Sequence, residues 1–299
     1  MKKVFVLPHL GLGDMFTCNG LFRYLRTKYD IVKIVILKRN LKNAQEIFSD
    51  DEGIHFYPIG EDGEISETFG CKREIFEQKT KDYDKIIKIG LHEHGKDICN
   101  VLGEIVLNEK FFDMPFSFYK DACVSYNNFW KYFYIPTLKK AEELYNLLYK
   151  HKIKKYIFVH NTASTGIVFP TKYVEKKYNI NKNETLFINP CITMYDKNDP
   201  YYELSKKFTK HSLISYKVII KNANKIFVTD SSFMCMAINL EIETPECYIL
   251  SRPYGHGQTC LKKGATHMGL KNAHIWSDKY IFNDEIKRQI FTEVDITKS

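Results

Sequence analysis

Short apolar runs recur along the chain, each followed by a polar loop and then by a stretch of helix-forming composition. Val4 to Leu7 is the first run; the loop HLGLGDMFTCNG, His9 to Gly20, follows it, and Leu21 to Lys28 reads as a helix. Ile31 to Leu37 alternates around Lys33 as a second strand, with helix-compatible Leu41 to Phe48 behind it. Ile54 to Pro58 and Tyr83 to Ile89 read as further strands, separated by an exposed Gly- and Glu-rich loop, Gly60 to Gly70, and Lys96 to Leu107 as the next helix. Strand and helix in alternation predict a parallel sheet whose loops gather at its carboxyl edge, where open α/β folds bind ligands.

A helix over Leu138 to Tyr149, apolar at Leu144, Leu147 and Leu148, and its exit over His151 to Lys155 mark the expected boundary between a first domain, 1–150, and a second, 151–299. The pattern restarts with the strand Tyr156 to Val159 and the loop HNTASTG, His160 to Gly166. Leu186 to Asn189 is the next strand, Ile192 to Tyr202 a long polar loop, and Leu213 to Asn224 a helix leading into the strand Lys225 to Thr229. Asp230, Ser231 and Ser232 then cap a helix, and Glu246 to Leu250 is a strand followed by SRPYGHG, Ser251 to Gly257. A last helix, Asp284 to Glu293, closes the chain and is a candidate to pack back on the first domain.

At 299 residues and 44% hydrophobic content the chain suits two medium domains with ordinary cores. No apolar run reaches the length of a membrane span, and the start MKKVFVLPHLG has too short an apolar core for a secretory signal, so a soluble, cytoplasmic protein is expected. Eight cysteines without a C-x-x-C pair read as free thiols. The net charge of +8 lies wholly in the second half, which holds 22 Lys and Arg against 14 Asp and Glu, while the first half holds 22 of each. These lysines are dispersed among apolar residues, which fits a solvated surface or a phosphate-bearing small ligand; no nucleic-acid module is present and nucleic acid is not an expected partner.

Two spacings resemble metal sites. Asp82 and Asp84 form a D-x-D, but Asp84 leads straight into an apolar strand, so a polar strand start is the preferred reading. His92 and His94 lack companions of ligand spacing. Residues 111 to 134 carry eleven aromatic side chains; rings stack on sugars and bases, yet core and inter-domain packing is the expected use. The chemistry-bearing loops remain. Glycines at 11 and 13 beside His9 expose Asp14 after the first strand. In the second half His160, Asn161, Thr162 and Ser164 offer small donors or form an ordinary polar turn, Asp230, Ser231 and Ser232 hold an anion at a helix start or merely cap it, and Arg252, just after a late strand, reads equally as a phosphate contact or as a surface or domain-interface ion pair.

GLGDMFTCNGLFRYL and NANKIFVTDSSFMCMAINL together resemble the heptosyltransferase-like glycosyltransferases of family 9 and relatives. YNNFWKYFYIPTLKKAEELYNLL and YIFVHNTAS are similar to the domain junction and the first strand of the second domain there. The resemblance implies a GT-B fold, two Rossmann-like α/β/α domains with parallel sheets facing across a cleft, with a glycan or glycoconjugate acceptor on the first and a nucleotide-diphosphate sugar on the second. It implies Asp14 as general base, with His9, Gly11 and Gly13 on the acceptor side, and Asp230, Ser231 and Ser232 as the donor turn. The activity implied is an inverting sugar transfer that needs no metal and no cofactor beyond the nucleotide-sugar; no integral membrane segment is expected, and peripheral membrane contact stays open. Two departures leave the donor unassigned: Cys235 stands where the family has a histidine five residues beyond the turn's aspartate, and HNTASTGIVFP lacks the usual base, the first being Lys172. A non-catalytic GT-B-like binding protein is therefore an alternative. An NAD(P)-dependent oxidoreductase is a weaker one, because Phe16 occupies the place of the fingerprint's third glycine and no acidic residue ends the second strand near Leu37.

Overall fold

The apolar runs become the strands of two parallel sheets. The computed structural model describes residues 1–8, 11–60, 80–89, 114–162, 171–229, 231–237, 239–240, 247–250 and 273–276, divided between two compact units, Met1–Pro136 and Thr137–Ser299.

In the first unit β1 (Lys3–Leu7), β2 (Ile31–Leu37), β3 (Ile54–Ile59) and β4 (Lys85–Lys88) pair in parallel in the order β3-β2-β1-β4. Val4, Val6, Val32, Ile34 and Ile36 are fully buried, as strands covered on both faces must be; the outer strand β4 leaves Ile86 exposed. The helices are α1 (Leu12–Thr17), α2 (Asn19–Arg26), α3 (Leu41–Ile47), α4 (Met114–Asp121) and α5 (Asn127–Tyr132). Helix α2 buries Leu21, Phe22 and Leu25, and Gly20 lets its backbone approach α5: a Cβ at Gly20 would stand 2.7 Å from the Asn128 oxygen and 2.9 Å from Phe129 Cα. Arg23 ties the unit together, forking onto Asp50 at 2.7 and 2.8 Å and donating to the carbonyls of Ile47 and Tyr134, while its plane lies over Phe48 and Tyr134. Of the aromatic stretch, Phe118, Tyr119 and Phe129 are buried in the core, as the packing reading expects.

In the second unit β5 (Tyr156–His160), β6 (Leu186–Ile188), β7 (Lys225–Thr229), β8 (Cys247–Leu250) and β9 (Ala273–Trp276) pair in parallel in the order β6-β5-β7-β8-β9. Its helices are α6 (Lys139–Lys150), α7 (Thr171–Lys177), α8 (Tyr202–Ser205), α9 (Lys217–Lys221) and α10 (Ser232–Ala237). Helix α6 buries Ala141, Leu144 and Leu148 and packs on α9 and the 3-10 turn Leu213–Tyr216, with Lys217 Nζ donating to Thr137 Oγ1 at 2.8 Å. The compact unit therefore begins at Thr137, ahead of α6, where the sequence pattern sets the boundary after it.

Other differences are local. The first helix starts at Leu12, within the expected glycine turn, because Met15 and Phe16 bury themselves one turn beyond it. The expected helix Leu213 to Asn224 opens as a 3-10 turn, and α7 and β9 arise from stretches too short in period to read. The predicted helices 96–107 and 284–293 lie outside the described residues.

Candidate functional site

At the carboxyl edge of the first sheet, β1 leads into α1, and Asp14 is the third residue of that helix. Its Oδ2 accepts from the Gly11 N–H at 3.1 Å, an acidic group capping its own helix start. Among the described residues this closure is what favours Gly11: its φ of −70° suits any residue, but a Cβ there would lie 2.5 Å from Asp14 Oδ2. Gly13 is inside the helix, its carbonyl accepting from Thr17 Oγ1. Asp14 is thus held on a helix rather than by the free glycine loop that the sequence suggests. Cys18, buried at the break between α1 and α2, has its thiol pushed well up by burial and then by Asp14 and Asp121, which disfavours the thiolate.

The second sheet numbers its strands 2-1-3-4-5 from its own first strand, so the chain reverses direction between β5 and β7. That reversal is where doubly wound sheets take ligands. The loops after those two strands meet there. His160, the last residue of β5, has Nδ1 3.1 Å from Ser231 Oγ, although 71 residues separate the two. Thr162 Oγ1 lies 3.4 Å from His160 Nε2, and Thr229 Oγ1 donates to the Thr162 carbonyl at 2.7 Å, locking one loop to the other. The Phe233 ring packs on the imidazole at 4.5 Å, and burial pulls the pKa of His160 down to about 4, leaving the ring uncharged at neutral pH. Ser231 is also the residue whose carbonyl accepts the Cys235 N–H, and Ser232 opens α10, which is only six residues long.

Asn161 departs from expectation. It is 1% exposed, its Oδ1 accepts from Asn189 Nδ2 at 2.8 Å, and its Nδ2 donates to Met194 Sδ. This amide braces the β5 loop against the β6 loop and is not presented to a ligand. Asn189 in turn takes the Cys191 N–H and exchanges hydrogen bonds with the Tyr195 hydroxyl. Thr229, Asn189 and Phe233 support the site without having been singled out in the sequence; the only signal is that each follows or ends a strand.

The D-x-D lies at the opposite edge of its sheet. Asp84 takes the Lys3 N–H at 2.6 Å and returns its own N–H to the Lys3 carbonyl, joining β1 to β4 where both strands begin. Among the described residues no group of three or more His, Cys, Asp or Glu is placed to hold a metal. A crevice of about 20 Å³ beside β6 is bounded by Lys182, paired to Glu175 and Asp199, and has room for no more than a water. His9, His92, His94, Ser164, Asp230 and Arg252 lie outside the described residues. Among those described, no helix is long and apolar enough to cross a membrane.

No protein-family profile and no curated protein matches the chain in sequence. In three dimensions it is similar to the family 9 glycosyl transferase of Veillonella parvula, with a TM-score of 0.57 at 13% identity over 98% of this chain and 91% of that one. It also aligns with two E. coli structures at a TM-score of 0.49: ADP-heptose lps heptosyltransferase II, 10% identical over 100% and 99% of the two chains, and heptosyltransferase WaaC with ADP, 11% identical over 97% of each. The two Rossmann-like units, with their parallel sheets and loops at the carboxyl edges, thus have the GT-B fold seen in the family 9 glycosyl transferase.

Proposed function

We propose that the protein is an inverting glycosyltransferase of the cytoplasm that moves a sugar from a nucleotide-diphosphate donor to a hydroxyl of a glycan or glycoconjugate. The observation that carries this is the meeting of His160, Thr162 and Ser231 at the strand-order reversal of the second sheet, which gathers uncharged donors where a diphosphate would bind. Asp14 is the base: it takes the proton of the acceptor hydroxyl as that oxygen attacks the anomeric carbon from the face opposite the diphosphate. The bond from the anomeric carbon to the phosphate oxygen breaks, and the negative charge that develops on the departing nucleoside diphosphate falls to the Ser231 and Ser232 hydroxyls, with Asp230 and Arg252 expected beside them. One displacement with one base inverts the anomeric centre, and hydroxyl and backbone donors take the place of a metal.

UDP-, GDP-, ADP- and CMP-sugars, each offered with and without a chelator, test the assignment. One donor should be consumed at a rate the chelator leaves unchanged, and Asp14→Asn should lower turnover about 10²- to 10⁴-fold while the donor still binds. Undiminished turnover in Asp14→Asn refutes the role of Asp14. Cys235 favours a second reading, in which the chain binds the nucleotide-sugar and leaves it intact, because a thiol is a poor substitute for an imidazole N–H facing a phosphate. Binding of a donor with neither hydrolysis nor transfer to added glycan acceptors supports that reading.

A further inference from the structure

Both ring nitrogens of His160 face hydroxyls, Ser231 Oγ at Nδ1 and Thr162 Oγ1 at Nε2. An uncharged imidazole carries one N–H and one lone pair, so two arrangements satisfy both contacts. In the first, Nδ1–H donates to Ser231, the Thr162 hydroxyl donates to Nε2, and the proton of Ser231 points away from the ring. In the second, Nε2–H donates to Thr162, the Ser231 hydroxyl donates to Nδ1, and the proton of Thr162 points away. Each arrangement holds the same three protons, and the two exchange through solvent with no net gain or loss. Thr162 and Ser231 are each partly exposed.

We propose that His160 is a positioning residue that couples these hydroxyls: a phosphate oxygen seated on Ser231 selects the Nδ1–H form and thereby makes Thr162 an acceptor for a ligand hydroxyl. The inference rests on the donor-binding reading above and deepens it. An anion accepts hydrogen bonds and donates none, so it draws the outward proton of Ser231 toward itself; the ring must then supply Nδ1–H, and Nε2 must take the proton of Thr162. The matching ligand offers a phosphate oxygen at one point and a hydroxyl at the other, as a nucleoside diphosphate or its sugar ester does. Inorganic pyrophosphate has no alcohol hydroxyl for the second point, and once fully deprotonated it satisfies only the first. The site would therefore discriminate by polarity as well as shape, since a ligand presenting acceptors at both hydroxyls leaves one pair of lone pairs opposed.

The full chain labelled with ¹⁵N, with the His160 signal assigned by its absence in His160→Gln, is titrated with UDP, GDP, ADP, CMP and pyrophosphate. The expected result is an Nδ1–H tautomer in the complex with whichever nucleotide binds. Thr162→Val keeps the backbone carbonyl that Thr229 uses, so the loops stay joined. This variant should weaken the nucleotide about tenfold, the loss of one ligand-facing hydrogen bond worth ~1.4 kcal/mol, and pyrophosphate by clearly less. A bound nucleotide with Nε2–H, or an equal loss for both probes in Thr162→Val, overturns the relay and leaves the binding reading standing. If none of the nucleotides binds, both are overturned.

Discussion

Replacing Gly11 by Ala isolates the closure of α1 on Asp14. The backbone at Gly11, φ −70° and ψ 146°, accepts an alanine, so among the described residues the obstacle to the new Cβ is the Asp14 carboxylate 2.5 Å away. That carboxylate is the end of a short rotatable side chain and must swing off the Gly11 N–H, which costs about 1 kcal/mol of capping. Alanine meanwhile restricts the unfolded chain, which stabilises the fold by about 0.4–1 kcal/mol. The substitution alone should therefore be neutral to slightly destabilising. In an Asp14→Ala background none of the described neighbours has to move, and the same Gly11→Ala change should stabilise by about 0.5 kcal/mol. The two positions are thus coupled by about 1 kcal/mol, above the ~0.3–0.5 kcal/mol scatter of independent sites. Urea unfolding of the four proteins measures it, followed by Trp130 fluorescence in a Trp276→Phe background, since these are the two tryptophans of the chain. If Asp14 is the base, Gly11→Ala also lowers transfer about 10²-fold, because the carboxylate has left its position. An identical effect of Gly11→Ala with and without Asp14 refutes the closure.

Gly20→Ala would drive a Cβ into the backbone of α5, with neither helix able to yield, and should lower stability by about 3 kcal/mol or more, read from the urea midpoint; a loss below ~1 kcal/mol contradicts the close approach. Arg23→Met leaves Asp50, itself 31% exposed, without its fork and two carbonyls without their donor, for a loss of about 2–3 kcal/mol in the same assay. His160 stays unprotonated in the folded chain down to about pH 4, while the unfolded chain takes up a proton near pH 6.5. Its contribution is therefore full above pH 6.5 and is lost as pH falls from there toward 4, by at most roughly 3 kcal/mol. Wild type should lose more stability over that window than His160→Gln; parallel curves refute the burial of the neutral ring.

The strands were legible because parallel strands buried on both faces are continuous apolar runs, and Ile31–Leu37 and Lys225–Thr229 have the bounds expected of them. Asp14, His160 and Ser231 were legible as residues that follow such runs. Their surroundings were not. A six-residue helix with a glycine in its first turn looks like a loop, so α1 was hidden in GLGDMFT. Asn161 looked like a ligand donor because burial is set by Asn189, a partner 28 residues on. The apolar face of α6 gives no sign of which unit it covers, which moved the boundary to Pro136. Above all, the pairing of His160 with Ser231 follows from strand order, and no local pattern reports that order.

The ladder between β5 and β7 runs Ile157↔Lys225, Phe158↔Ile226, Val159↔Phe227 and His160↔Val228. It is the ruler against which the two loops are set. Residues along a strand face alternate sides, so a single-residue deletion inside β7 would shift every later residue by one place and turn the chain leading to Ser231 over relative to His160. Insertions beyond Ser231, by contrast, leave the ruler untouched. Grafting this pair of loops onto another parallel sheet would accordingly succeed or fail on the parity of the strand positions, whatever the length or composition of the loops that follow.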